Sequence, residues 1–510
     1  METARHAESS RISFLRVVCI SELSEHIFSL LDHSDLASLA SLSRVLFESV
    51  VPAIWEEVNV KPLITLIPGV EIDDDAASSA YDRILNIPIY PDLGRFRVYA
   101  PYVKHLRGTP ECTIEFSTED NSPIALGLLP NLQHITLLSQ RHYNHNEFAR
   151  LFAPIDLEWV RRFLCPGLVT FRMFGVDVNE PAGDESNRYL PWMDCTACLR
   201  LVAEMSDRCP RIATLQMFPD GSGEGFCEEY YCNLASMNNL QSFTWSGHRV
   251  DQELMSALGA LPHLKSLCFM SNISETPNYY SDLDDSENGY EPEADTASDP
   301  VVLSEESFPA LQSLELCELG PQTIAKVCGL SPLFRGLTRL AISYAGHPSP
   351  YNFQAWSDDV FACLGHGSPY LIDLEISSMP RRLVLTEVTD RLRLMPLRRL
   401  NLDWVWISNE VECRQFAEVL PDVDELTVCS GLRYPWLRVF ARKLSKLQHL
   451  CVGMLNFAEM SKAKEVVSWE GHSGLNHQAV TIQANFRLRY PMERQVDDVA
   501  RYGSRFLGDT

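Results

Sequence analysis

Apolar residues fall in two different rhythms along this chain, and the change of rhythm divides it. Between Ile20 and Val58 they recur at helical intervals: Leu23, Ile27, Leu30 and Leu31 stand at i, i+4, i+7 and i+8, one stripe of a helix that begins near Glu22 and stops at Asp32 and His33. Ser34 followed by Asp35 reads as the cap of a second helix carrying Leu36, Leu39, Ala40, Ser43 and Phe47. Pro52 cannot sit in a helix interior without losing a donor, so it is expected in the first turn of a third helix bearing Trp55 and Val58. Three helices this short close only a small core, which leaves apolar surface for a partner.

From about residue 130 the rhythm changes to a phrase in which an apolar residue is followed three and five places later by others, often with a proline two places ahead. Copies begin at Leu132, Leu168, Ile212, Leu240, Leu264, Leu311, Leu337, Leu371, Leu397, Val423 and Leu447, and a weaker one at Val103 with Leu106. The alternating end of the phrase predicts a short strand with one face in the core. Gaps such as 251–261 and 411–420 have helical periodicity, so each unit reads as strand, turn and helix with successive strands parallel. From Leu311 the copies lie 26, 34, 26, 26 and 24 residues apart, while earlier ones are looser at 36 and 44. The expected fold class is α/β, a short all-α module followed by a solenoid with a parallel-strand concave face and convex helices. An ordinary doubly wound sheet is the alternative, although eleven like strands exceed what such sheets usually hold.

Composition narrows the function. A formal charge of −25 over 510 residues, with Lys and Arg nowhere concentrated, argues against nucleic acid and points to basic partners. Fifteen scattered cysteines, no secretory leader in 12–20 and no long apolar run imply a reduced, cytoplasmic or nuclear protein that does not span a membrane. Ser271 to Ser307 holds eleven acidic residues and no Lys or Arg, so an acidic disordered insertion between two copies is expected there.

Visible chemistry is sparse. Asp284, Ser286, Asn288, Gly289 and Asp295 imitate a calcium loop, but Glu291 and Pro292 break its pattern and no flanking helices support it. Cys195 and Cys198 with Cys227 and Cys232 invite zinc, yet no histidine completes the set and the first pair precedes a helical apolar stripe. The glycine-rich run 221–225 lacks the lysine of a phosphate loop. The expectation is no catalytic group, no cofactor and no metal. What remains is a recognition surface on the strand positions between core residues: Thr136, Arg172, Gln216, Thr244, Cys268, Glu315, Ala341, Glu375, Asn401, Thr427 and Cys451. Arg172, Gln216, Glu315 and Glu375 from this column, with Phe174, Phe218, Asp373, Asp403 and Trp404 beside it, form the candidate target-binding set.

The N-terminal stretch resembles an F-box. The family pattern is matched by Ile20-Ser21-Glu22-Leu23, Ile27-Phe28-Ser29-Leu30-Leu31, Asp35-Leu36, Leu42-Ser43-Arg44 and Ile54-Trp55, with Ser21 where the family has proline. The phrase of the middle resembles half of a leucine-rich repeat. Together they imply a non-catalytic substrate receptor that docks on a Skp-family adaptor, and through it on a cullin ubiquitin ligase, while the solenoid holds an unknown protein target. The resemblance gives Ile20, Leu23, Ile27, Leu30, Leu31, Leu36, Leu39, Arg44 and Trp55 the adaptor-facing role. A ligase-independent interaction scaffold is the alternative. The implied organisation is a flexible 1–19, an F-box over 20–58, a joining segment 59–100, a solenoid 101–460 with its insertion at 271–307, and a C-terminal cap 461–510, with a last strand at 480–482 and a closing helix over 492–507.

Overall fold

The computed structural model describes residues 20–73, 83–88, 91–108, 112–116, 128–139, 157–175, 193, 195–219, 227–247, 250–271, 301–344, 360–365, 367–377, 383–402, 405–407, 409–456 and 481–484. They belong to two compact units, residues 1–316 and 317–510.

Three helices open the first unit: α1 (Ser21–Phe28), α2 (His33–Leu42) and α3 (Arg44–Trp55). Their boundaries differ from expectation for local reasons. Asp32, rather than Ser34, caps α2, its carboxylate accepting the Asp35 backbone N–H at 2.8 Å. The carboxylate also favours the positive end of the helix. The second helix ends before Ser43 instead of running to Phe47, because the Ser43 hydroxyl accepts the Leu46 N–H at 3.2 Å and starts α3. A short polar side chain that satisfies an orphan donor can end one helix and begin the next. Pro52 therefore lies inside α3, close to its end, where only one intrahelical bond is lost. The core of this module is small: Phe28, Leu36, Leu46 and Val50 are buried, with Ile27, Leu31, Leu39, Ala40, Ala53 and Ile54 packed partly against them.

Val58 belongs to a strand, not to a third helix. β1 (Glu57–Asn59) follows α3 directly, and after the helix Val60–Ile64 come β2 (Glu71–Asp73), β3 (Arg83–Ile87), the helix Gly94–Tyr99, β4 (His105–Gly108) and β5 (Cys112–Phe116). The described parts of the joining segment 59–100 are thus largely helix and strand. β1 pairs in parallel with β4, Val58 opposite Leu106, while β2, β3 and β5 form a separate three-stranded sheet.

The repeated phrase then produces β6 (His134–Ser139), β7 (Thr170–Gly175), β8 (Thr214–Gln216), β9 (Ser242–Ser246), β10 (Ser266–Met270) and β11 (Ser313–Leu319), within which the boundary of the units falls. Each strand starts two residues after its copy begins. In the first unit the order is β1, β4, β6, β7, β8, β9, β10, with every adjacent pair parallel. Strand order never doubles back, which excludes the doubly wound alternative and makes this unit a solenoid of strand and helix. Register puts Ile135, Phe171, Leu215, Phe243 and Leu267 in one column, all with no exposure. The helices Cys195–Arg208, Glu228–Ala235 and Gln252–Gly259 stack as a second layer.

Two backbone devices hold this register. At each step one carbonyl receives two consecutive N–H groups of the next copy: Lys104 O from Gln133 and His134, Gln133 O from Val169 and Thr170, and Val169 O from Ala213 and Thr214. Before each strand a tight turn closes, as from Leu132 N–H to Leu129 O, Leu168 N–H to Cys165 O and Ile212 N–H to Cys209 O. Pro130, Pro166 and Pro210 fill the second position of these turns, where a fixed φ is favourable, and this explains the proline ahead of the phrase.

Part of the expected acidic insertion 271–307 is described and ordered. Residues 272–300 lie outside the described ones, but 301–308 are placed: the Gln252 side chain donates to Val302 O at 2.9 Å and accepts the Val302 N–H at 2.6 Å, and the Phe308 N–H reaches Gly259 O at 2.9 Å. Phe308 is buried, which offsets the cost of its left-handed backbone at φ 59°.

In the second unit the phrase gives β12 (Arg339–Tyr344), β13 (Asp373–Ser377), β15 (Arg399–Leu402), β17 (Glu425–Arg433) and β18 (His449–Asn456), followed by β19 (Thr481–Ala484) near the expected last strand. All pair in parallel and in sequence order; β14 (Leu383–Val384) and β16 (Val405–Trp406) form a small pair of their own. Leu340, Leu374, Leu400, Leu426 and Leu450 form one buried column and Ile342, Ile376, Leu402, Val428 and Val452 the other. The helices Leu385–Leu392, Glu410–Val419 and Tyr434–Lys443 stack beside one another. The leader segment 1–19 and the closing helix expected over 492–507 lie outside the described residues, as does most of the cap 461–510.

Candidate functional site

Two surfaces are candidates, one on the helical module and one on the open face of the strands. On the helical module the nine residues assigned by resemblance divide. Ile20, Leu23 and Leu30 are 47%, 46% and 74% exposed, too much apolar surface for so short a segment to leave to water without a purpose. Arg44 is exposed and paired with Glu48 at 2.9 Å. Leu36, by contrast, is buried, and Ile27, Leu31 and Leu39 pack half-buried against the same small core. Trp55 also turns toward its own chain: its ring stacks on Tyr99 of the helix Gly94–Tyr99, centroids 4.4 Å apart. These five support the module rather than present a surface. Sequence reasoning missed Leu42, Val45 and Phe47, exposed at 64%, 46% and 38% where α2 meets α3. Their signal was the Ser43 cap, which ends the helical stripe and turns these side chains outward.

On the strands, alternation puts the third and fifth residues of each phrase outward and the fourth and sixth inward. In the first unit the outward columns are Glu57, His105, His134, Thr170, Thr214, Ser242, Ser266 and, alongside, Asn59, Arg107, Thr136, Arg172. Arg172 is exposed, and Phe174 half-buried opposite Leu138. Gln216 is partly occupied within the fold, its amide donating to Met173 O at 2.7 Å. Glu315 is half-buried on β11. Phe218 does not belong to the surface at all: it lies beyond the end of the strand at Gln216 and is 1% exposed.

In the second unit register assembles a charge ladder that the linear sequence hides. Arg339, Asp373, Arg399, Glu425 and His449 are consecutive members of one outward column. Asp373 is bracketed, with Arg399 at 3.0 Å and Arg339 at 3.9 Å, so its charge is offset from both sides. In the neighbouring column Glu375 accepts the Asn401 amide at 3.0 Å. Asp403 and Trp404 lie outside the described residues. The ladder was legible in principle, since each member stands two residues after the start of its copy.

The other chemical candidates dissolve into core and surface. Cys198 is buried on the helix Cys195–Arg208, Cys195 is half-buried, and Cys227 and Cys232 are exposed. Burial pushes the Cys209 and Cys413 thiols up to about 12, the behaviour of inert core cysteines. The calcium-like loop and the run 221–225 lie outside the described residues. Among the described residues no helix is long and apolar enough to cross a membrane.

No family model matches the chain, and no curated protein matches it. Among solved structures it is similar to the leucine-rich repeat-containing protein LegL7 from Legionella pneumophila, at 13% identity and a TM-score of 0.33 over 70% of this chain and 97% of that one. It is also similar to TLR13, solved with ssRNA13, at 15% identity and 0.31 over 73% and 52%. A third is the Drosophila Toll–Spatzle complex, at 12% and 0.25 over 71% and 51%. The chain spans about half the length of the last two. The leucine-rich-repeat character of the present fold rests on its own register, not on these distant likenesses.

Proposed function

We propose that this protein is an F-box-type substrate receptor: the helical module docks on a Skp-family adaptor, and the strand face holds a protein target for a cullin ubiquitin ligase. The receptor itself is non-catalytic, and it acts in the cytoplasm or nucleus by raising the effective concentration of its target. The observation that carries the reading is the exposed apolar set Ile20, Leu23, Leu30, Leu42, Val45 and Phe47, on a module whose own core has four buried residues. The ordered match of the 20–55 segment to the F-box pattern supplies the identity of the partner. No cofactor or metal enters the mechanism.

A second reading is a ligase-independent scaffold in which the helices cap the solenoid. The stack of Trp55 on Tyr99 and the direct passage of α3 into β1 favour it. Co-purification with a Skp-type adaptor separates the two. The receptor reading expects capture by the wild type and loss in Leu23→Asp; a wild type that captures no adaptor leaves the scaffold.

A further inference from the structure

The charge of the whole chain and the charge of one part of its strand face have opposite signs. Across β1, β4, β6 and β7 the outward grid consists of Glu57, His105, His134 and Thr170 in one column and Asn59, Arg107, Thr136 and Arg172 in the other. Glu57 is the one carboxylate in this grid, and Arg107 occupies it at 2.5 Å. Arg172 is exposed, and among the described residues no carboxylate pairs with it. His105 and His134 are half-buried neighbours with ring centroids 4.2 Å apart. A protein with net charge −25 has placed two arginines and two histidines against a single acid here.

We propose that the open face of β4, β6 and β7 binds an extended acidic segment of the protein target, its carboxylates held by His105 and His134 in one row and by Arg172 and Arg107 in the next. The proposal names the chemistry of the target in the receptor reading; it rests on that reading only for the target's fate. Its test needs no adaptor, so the two fail separately.

The spacing fits such an occupant. The histidine and arginine rows are two residues apart along each strand, about 7 Å, which is also the separation of alternate side chains in an extended peptide lying along the strands. An acidic residue at every second position therefore meets both rows at once. Thr136, between Arg107 and Arg172, and Thr170, beside His134, add hydroxyl donors to the two rows. His134 is held below its ordinary value by burial, by His105 and by Arg172, so it is largely neutral at neutral pH without a ligand. A carboxylate placed against it removes part of that penalty and takes a proton with it. The charged and titratable groups facing His134 from the packed strands are His105 and Arg107 of β4 and Arg172 of β7, with Glu57 one strand beyond.

The measurement is fluorescence anisotropy of the full chain with a labelled peptide of alternating Glu and Ser, against its Lys and Ser counterpart. Binding of the Glu peptide is expected to tighten several-fold between about pH 7.5 and about pH 6, as His134 takes up a proton against the ligand. Raising salt from about 50 mM to about 300 mM should weaken it, whereas an interaction governed by the overall charge would be relieved of repulsion and strengthen. Arg172→Glu should lower affinity about tenfold or more by placing like charge against the ligand, with Arg172→Gln intermediate. His134→Gln should remove most of the pH dependence while leaving the thermal unfolding midpoint unchanged. A preference for the Lys peptide, affinity that rises with salt, or a folded Arg172→Glu variant that binds as the wild type does would overturn the proposal.

Discussion

The helical module and the strand ladder of the first unit use the same apolar residues to opposite ends. In the ladder every inward position is sealed: Ile135, Phe171, Leu215, Phe243 and Leu267 have no exposed surface, because each is covered by strands on both sides and by the helix layer behind. In the module Leu23, Leu30 and Leu42 are 46%, 74% and 64% exposed, because three short helices offer only one small core to pack on. A repeat unit can always bury its apolar face against the next copy, and a lone three-helix segment cannot. The exposed residues of the module are therefore the surface that the proposed function gives to a partner, and the ladder is where stability resides.

Mutations can break this contrast directly. Phe243→Ala should cost about 3–5 kcal/mol in chemical denaturation of the full chain, since it opens a cavity among strands that cannot collapse. Leu23→Ala, the same kind of truncation on the module, should cost about 0.5 kcal/mol or less. Equal losses would mean that the module's apolar residues are core after all.

The next effect concerns how the first unit ties the 3-10 helix Glu158–Phe163 to the helix Cys195–Arg208. Glu204 lies between Arg161 and Arg208, accepting from Arg208 at 3.1 Å and pairing with Arg161, and Arg208 also donates to the carbonyls of Arg161 and Leu164. All three side chains are mostly buried, at 28%, 23% and 17% exposure. Glu204→Gln leaves two arginines without their shared carboxylate and should cost about 2 kcal/mol, measured in the same denaturation experiment. A loss no larger than for an exposed pair such as Arg44 with Glu48 would place this network on the surface in solution.

A smaller effect sharpens the comparison through the thiols. Cys209 is held up at about 12 from an ordinary 9.0, chiefly by burial. A raised thiol value means that the unfolded chain ionises first. The stabilisation is full below about 9, and it declines as pH climbs toward 12. At mildly alkaline pH, alkylation should modify the exposed Cys227 and Cys232 quickly and Cys209 only at the rate of unfolding. Equal rates in mass spectrometry would show that the ladder opens locally.

The ladder was far more legible in the sequence than the surfaces. Eleven copies from Leu132 to Leu447 predicted eleven strands, each beginning two residues on, because a leucine needed in the core leaves its mark on every copy. β1 was missed because Glu57–Asn59 is three residues long and carries no phrase. The helix boundaries shifted because Asp32 and Ser43 act through single hydrogen bonds that periodicity does not register. For the outward face, Thr136, Arg172 and their column were placed correctly between the core residues, but the neighbouring column with His105, His134, Arg339 and Arg399 was overlooked. Its members are 24 to 34 residues apart in the second unit and meet only through register, so the two arginines that flank Asp373 do not show in the linear sequence. Leu36 and Trp55 show the other side of this: in a small core, conspicuous apolar residues also serve the fold, Leu36 as buried core and Trp55 stacked on Tyr99.

The most direct test of the account is the affinity of a Skp-type adaptor for the wild type and for Leu23→Asp, read beside their thermal unfolding. The account predicts a stable complex for the wild type, its loss in the variant, and unfolding midpoints that agree within a few degrees. An absent wild-type complex, or a Leu23→Asp variant that binds undiminished while folded, would contradict it.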